Sequence, residues 1–110
     1  MIRKIEKANW QIFLDRLSKE LAGNAVEVEV DGLDLGSHIE AEWVPLVGLT
    51  YDHKDDLIEI ALEGLDHTVR HPRELYVDEN GGKVESLGIV EENTQIVRFR
   101  EPLLLPSPEH

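Results

Sequence analysis

The residues best equipped for chemistry are crowded into one polar stretch, Tyr51-Asp52-His53-Lys54-Asp55-Asp56. A histidine titrates near neutrality, and a carboxylate beside it can orient the ring or stabilise its charged form. His53 with Asp52, Asp55 or Asp56 therefore has the composition of a general acid–base group, as a small hydrolase-like or acid–base enzyme would use. His67 and His71 have the i, i+4 spacing that chelates zinc from a helix. In an extended segment that spacing separates them by about 13 Å, at roughly 3.3 Å per residue, too far to share a metal. Pro72 and the β-branched Thr68 and Val69 argue for the extended form, so both are read as exposed loop histidines and no metal site is expected.

Other motifs fail on their own chemistry. Asp52-x-Lys54-x-Asp56 with Glu63 resembles a calcium loop only superficially, because a lysine takes the third position and Leu57 the sixth, where the sharp turn needs glycine. Gly81-Gly82-Lys83 lacks the long glycine-rich lead and the Ser or Thr of a phosphate loop, and is read as a hairpin turn. None of Ser18, Ser37, Ser86 or Ser107 lies in a nucleophile-elbow setting. The binding candidates are therefore Tyr51, Asp52, His53, Asp55, Asp56, His67 and His71, with no cofactor expected.

Composition narrows the function classes. Lys plus Arg number 11 against 23 Asp plus Glu, a net charge of −12, which repels nucleic acid and anionic membrane over most of the surface. With Cys 0, disulfide frameworks, thiolate metal sites and thiol chemistry are excluded. The opening Met-Ile-Arg-Lys-Ile-Glu-Lys has no apolar leader core, and no window approaches the roughly 20 apolar residues of a membrane helix. A soluble cytoplasmic protein is expected, with one domain over residues 1–110.

The polar stretch has to be positioned by its flanks. Residues 46–64 read as a β-hairpin with Asp52 to Asp55 as its loop, Leu49 opposite Ile58 and Val47 opposite Ile60 on a buried face, and Leu62 continuing that face. Upstream, Trp10, Phe13, Leu14, Leu17 and Leu21 fall at helical spacing, which predicts a helix over about 8–22, ended by Gly23 or Asn24, that packs on the sheet to follow. Val26, Val28 and Val30 alternate with Glu27, Glu29 and Asp31 in a first strand, and residues 31–36 are the turn. Ile39, Ala41 and Trp43 alternate with Glu40 and Glu42 in a second, which Pro45 ends or bends. Residues 65–73 read as a short edge strand or loop.

From Glu74 a meander is legible, with Val77 opposite Leu87, Leu75 opposite Ile89, Ile89 opposite Val97 and Leu87 opposite Phe99. Trp10, Leu14, Leu17, Trp43, Leu49, Ile60, Leu62, Leu87 and Phe99 are the expected core. Glu27, Glu29, Glu40, Glu42, Glu59 and Glu63 form the outward polar face. The fold expected is mainly β with one N-terminal helix (α+β), about six or seven strands in a strongly bent antiparallel sheet or small barrel over residues 25–101, capped by the helix.

The Trp10-x-x-Phe13-Leu14 helix, the Asp34-Leu35-Gly36 turn, Pro45-Leu46-x-Gly48-x-x-Tyr51-Asp52, Asp56-x-Ile58-x-Ile60, and His71-Pro72-Arg73 with Val77-Asp78 together resemble a family of small bacterial single-domain proteins of unknown function. The likeness spans nearly the whole chain and implies a stand-alone domain to which no functional residue carries over. More distantly, the Val-x-Val-x-Val-Asp-Gly turn of residues 26–32 and the late His-Pro-Arg strand resemble the Sm-type small barrel in fold only, since the acidic surface departs from that family's RNA-binding role.

Function is thus expected to be that of a small non-catalytic binding or interaction module for a protein or small-molecule partner, with the His53 enzyme as the alternative. A free strand edge would favour the module, and a pocket around His53 the enzyme. The tail, residues 102–110, carries Leu103, Leu104 and Leu105 between prolines. It is expected either to support a weak homodimer beside the edge at residues 65–73 or to fold back over the open end of the same chain.

Overall fold

The computed structural model describes residues 1–101; the expectations for the leucine tail lie outside them. Strand β1 (Ile2–Ile5) leads through a 3₁₀ turn at Lys7–Asn9 into helix α1 (Trp10–Leu21). Seven more strands follow: β2 (Ala25–Gly32), β3 (Gly36–Asp52), β4 (Leu57–Leu62), β5 (Leu65–Arg70), β6 (Glu74–Asn80), β7 (Lys83–Val90) and β8 (Thr94–Arg100). They form one antiparallel sheet of eight strands in the order β1-β6-β7-β8-β2-β3-β4-β5. The sheet ends at β1 and β5, which do not pair with each other, so it is bent but not closed and the barrel expectation is corrected.

Strand β3 is the pivot. It spans 17 residues, pairs with β2 through its first half and with β4 through its second, and carries Pro45 at the changeover. Pro45 bends the strand without ending it. Extra residues in β3 make the bends: the β2·β3 register shifts between Val26 and Val28 and again between Val28 and Glu29, and Trp43 takes a left-handed φ of 52°. Each bulge turns side chains over. Ile39 therefore faces water at 50% exposure and Trp43 is only half-buried, where simple alternation places both inside with Ala41. Trp43 instead lies under the Arg100 guanidinium, 4.0 Å from the ring centroid.

A third bulge, between Leu46 and Gly48, pushes Val47 out to 62% exposure and brings Leu46 and Leu49 both inward. Gly48 leaves room there for the helix, because a Cβ would sit 3.1 Å from Ser18 Oγ, and the Leu49 N–H donates to that hydroxyl at 2.9 Å. The helix ends as its sequence predicts, at Gly23 with φ 89°. The Gly23 N–H donates to the Leu46 carbonyl at 2.8 Å, tying the helix end to β3. Trp10, Leu14 and Leu17 are buried, with Phe13 and Leu21 packed beside them.

Two registers differ from expectation by two residues, a shift that by itself leaves inward faces unchanged; in β3 it is the bulge that turns Val47 out. In β3·β4 Leu49 pairs with Ile60 and Tyr51 with Ile58, so the loop is residues 53–56 rather than 52–55. In β7·β8 Leu87 pairs with Val97 and Ile89 with Gln95. In β6·β7 Val77 and Leu75 do meet Leu87 and Ile89, through a tight Gly81-Gly82 turn compensated by a register shift at Asp78 and Glu79. Strand β1, which pairs Ile5 with Leu75 on β6, has no counterpart among the predicted elements.

Candidate functional site

The polar stretch folds into a self-satisfied cluster. Asp52 Oδ1 accepts the backbone N–H groups of Lys54 at 3.0 Å and Asp55 at 3.3 Å, the short carboxylate-capped turn that Asp favours. Asp56 then takes a left-handed φ of 51°, which returns the chain into β4 and swings its carboxylate onto Tyr51, whose hydroxyl donates to Oδ1 at 2.8 Å. Lys7 Nζ lies 3.3 Å from the same oxygen and His71 Nδ1 3.6 Å from Oδ2. His71 also has a left-handed φ, 53°, and its backbone N–H donates to the Asp56 carbonyl at 2.8 Å. Beneath, the Trp10 and Tyr51 rings meet edge to face with centroids 5.1 Å apart.

The electrostatics of this cluster favour holding protons where they are. Burial, with the Asp56 carboxylate adding, pushes the Tyr51 phenol up to about 12. The Tyr51 hydroxyl in turn holds Asp56 below the usual carboxylate range, with Lys7 and His71 adding to the effect. Both groups resist proton exchange near neutrality. What the arrangement does is clamp the helix start to the β3–β4 loop and the end of β5.

The seven sequence candidates divide accordingly. Tyr51, Asp56 and His71 come together; Asp52 closes the turn; His53 and Asp55 are exposed at the loop and outside the Asp56 cluster. His67 is neither in a loop nor fully exposed: it lies half-buried on β5, where its ring nitrogen meets the buried Gln95 side chain of β8. The four best-defined clefts among the described residues are lined by none of these seven residues. No group of three or more His, Asp or Glu among the described residues could hold a metal ion.

Sequence reasoning passed over a second polar cluster, on the outer face of β2 and β8. Arg98 Nη1 donates to Glu27 Oε1 at 2.9 Å and Glu29 Oε1 at 2.7 Å, and the Ser37 hydroxyl donates to Glu29 Oε2 at 2.7 Å. The signal was Arg98 between the inward Val97 and Phe99, but matching it to Glu27 requires the β2·β8 pairing, which joins residues far apart in the chain. Of the outward glutamates, Glu40, Glu42 and Glu63 are exposed, and Glu27, Glu29 and Glu59 half-buried. The Arg98 hydrogen bond, with the Ser37 hydroxyl assisting, holds Glu29 down at about 2 instead of the ordinary 4.5. A carboxyl depressed in the folded state adds stability that is complete above 4.5 and is lost as pH falls toward 2. Urea titrations of Glu29→Gln should therefore show a flatter acid limb than wild type across that window, and parallel limbs would disprove the assignment.

The third feature is the open edge of β5. The two-residue turn between β4 and β5 makes Leu62 and Leu65 a hydrogen-bonded pair, so alternation directs the amides of Leu65, His67 and Val69 to β4. The His71 N–H on the Asp56 carbonyl continues that series. The amides of Asp66, Thr68 and Arg70, three residues with exposed side chains, consequently face away from the sheet. No helix of the described residues is long and apolar enough to cross a membrane.

A family model described as a family of unknown function (DUF5335) matches residues 1–108. An uncharacterized protein of Aquifex aeolicus (strain VF5) is 40% identical over 109 residues, covering 97% of each chain. No solved structure gives a significant match.

Proposed function

The chain belongs to the DUF5335 family of unknown function, and from its surface we propose a small non-catalytic interaction module that takes an extended segment of a partner protein as an added strand along β5. The observation that carries this reading is the terminal place of β5 in the sheet, with the Asp66, Thr68 and Arg70 amides directed outward. Main-chain hydrogen bonds would supply affinity and alternate side chains specificity. The exposed Leu65 at one end gives the incoming strand an apolar contact. A weak homodimer is the same pairing made between two copies around a two-fold axis. A net charge of −12 weighs against nucleic acid as the partner. The acid–base alternative has less support, since His53 lies apart from both the Asp56 cluster and the four clefts.

The test uses Thr68→Pro, which removes an outward donor while leaving the amides that face β4 in place. Selection from a displayed random-peptide library should enrich sequences of alternating apolar residues that bind the wild-type chain. Binding should fall by more than about tenfold on Thr68→Pro, the equivalent of one good hydrogen bond with its neighbours displaced. Peptides that bind both forms equally, with β5 intact by hydrogen exchange, would refute the edge as the site.

A further inference from the structure

Strand β5 carries opposite charges placed symmetrically about its centre. Asp66 lies two residues before Thr68 and Arg70 two residues after it, and these are the three residues whose amides face away from the sheet. Their side chains share the outer face, because the alternate Val69 is buried inward, and all three are exposed. Neither Asp66 nor Arg70 makes an ion pair among the described residues. An open edge pairs with whatever strand offers matching donors, acceptors and charges. A second β5 offers all of them.

Turned antiparallel about a two-fold axis through Thr68, a second copy sets Thr68 opposite Thr68, Asp66 opposite Arg70 and Arg70 opposite Asp66. Each of these is a pair of outward-facing residues and so exchanges two main-chain hydrogen bonds. Opposite charges across a strand pair attract, and threonines facing each other add to the pairing. Neighbouring registers lose this match. An axis through His67 puts Arg70 opposite Gly64 in the β4–β5 turn, and an axis through Val69 puts Asp66 opposite Pro72, which has no N–H to donate. We propose that the β5 edge pairs with a second copy of this chain about the Thr68 axis, joining the two sheets into one. The proposal rests on the reading of β5 as an open edge and names an occupant for it, which a partner strand must displace. The contact is one short strand from each copy, and each copy carries a net charge of −12, so the dimer is weak and reversible.

Sedimentation equilibrium at fixed ionic strength compares wild type, Asp66→Arg, Arg70→Asp and the double reversal. Wild type should dimerise with a dissociation constant of about 1 mM or tighter. Each single reversal sets like charges across both symmetry-related pairs and should weaken the dimer at least about tenfold. The double reversal restores opposite charges and should return the constant to within about threefold of wild type. Overall charge does not reproduce this pattern, because the first single makes the chain less negative and the second more negative, moving long-range repulsion in opposite directions. In a chain without cysteine, Thr68→Cys places two thiols across the axis with Cα atoms about 5.5 Å apart, within disulfide range. It should crosslink under mild oxidation at least about tenfold faster than Val47→Cys, which is exposed on β3. A wild type that stays monomeric at about 1 mM, single reversals that leave the constant unchanged or shift it in opposite directions, a double reversal as weak as the singles, or equal crosslinking of the two cysteine variants would each overturn the dimer. Peptides that still bind wild type and lose affinity on Thr68→Pro would in that event leave β5 standing as a partner site, whereas failure of both would remove the edge reading itself.

Discussion

Replacing Trp10 with alanine should destabilise the protein by about 3–5 kcal/mol, the range for removing a large aromatic from a core. The side chain is 1% exposed, and it joins three parts of the molecule at once. Its indole N–H donates to the Ile5 carbonyl at 2.8 Å, holding β1 to the start of the helix. Its ring meets Tyr51 edge to face, and Lys7 Nζ stands 5.3 Å from the ring centroid. Alanine would open a cavity and leave a buried carbonyl without its donor, and the two penalties act together. Against a total stability of about 5–15 kcal/mol for a domain of this kind, that is a large share. Trp43→Ala is the internal comparison. That tryptophan is half-buried against Arg100, so it should cost less than about 1.5 kcal/mol. Denaturant unfolding of the two variants decides the matter, and equal losses would contradict the placement of the two rings.

Leu17→Ala should cost about 2–5 kcal/mol, because Leu17 lies in the middle of the helix stripe at 3% exposure. The cavity it leaves cannot relax easily. The helix is pinned immediately after Leu17 by the Leu49 amide on Ser18 and past its C-terminal end by the Gly23 amide on Leu46, so this half of α1 has little freedom to sink toward β3. A loss below about 1 kcal/mol by chemical denaturation would mean that the helix face is not the core surface described above. The exposed Ile12 supplies a control on the same helix. Ile12→Ala should move the unfolding midpoint far less than Leu17→Ala, because most of that side chain already faces outward.

The inward and outward faces of most strands are legible in the sequence because side chains alternate and each apolar column is a local pattern. Val26, Val28 and Val30, Leu75 and Val77, Leu87 and Ile89, and Val97 and Phe99 are all buried as that alternation requires. Registers came out two residues away in β3·β4 and β7·β8 because a shift of two leaves every face unchanged, so hydrophobic pattern alone does not discriminate between them. The candidate site was legible as a composition, not as a geometry. Tyr51 and Asp56 are near neighbours in the chain, but Lys7 and His71 reach Asp56 only through the packing of the helix and of β5.

By itself, the sequence determined one helix with a buried stripe, a run of antiparallel strands with known faces, an acidic surface and the absence of thiol chemistry. Each is a property of composition or of residues within a turn or two of one another. Only the tertiary structure decided that the sheet stays open, that β1 pairs with β6 across more than half the chain, and that β5 is left at an edge. It also decided that Ile39, Val47 and Trp43 leave the core, because the bulges in β3 break the period of two on which alternation depends. A bulge inserts a residue where two distant strands must accommodate each other's twist. That demand arises from the partner strand and from the helix packed behind it, and neither is written in the local pattern.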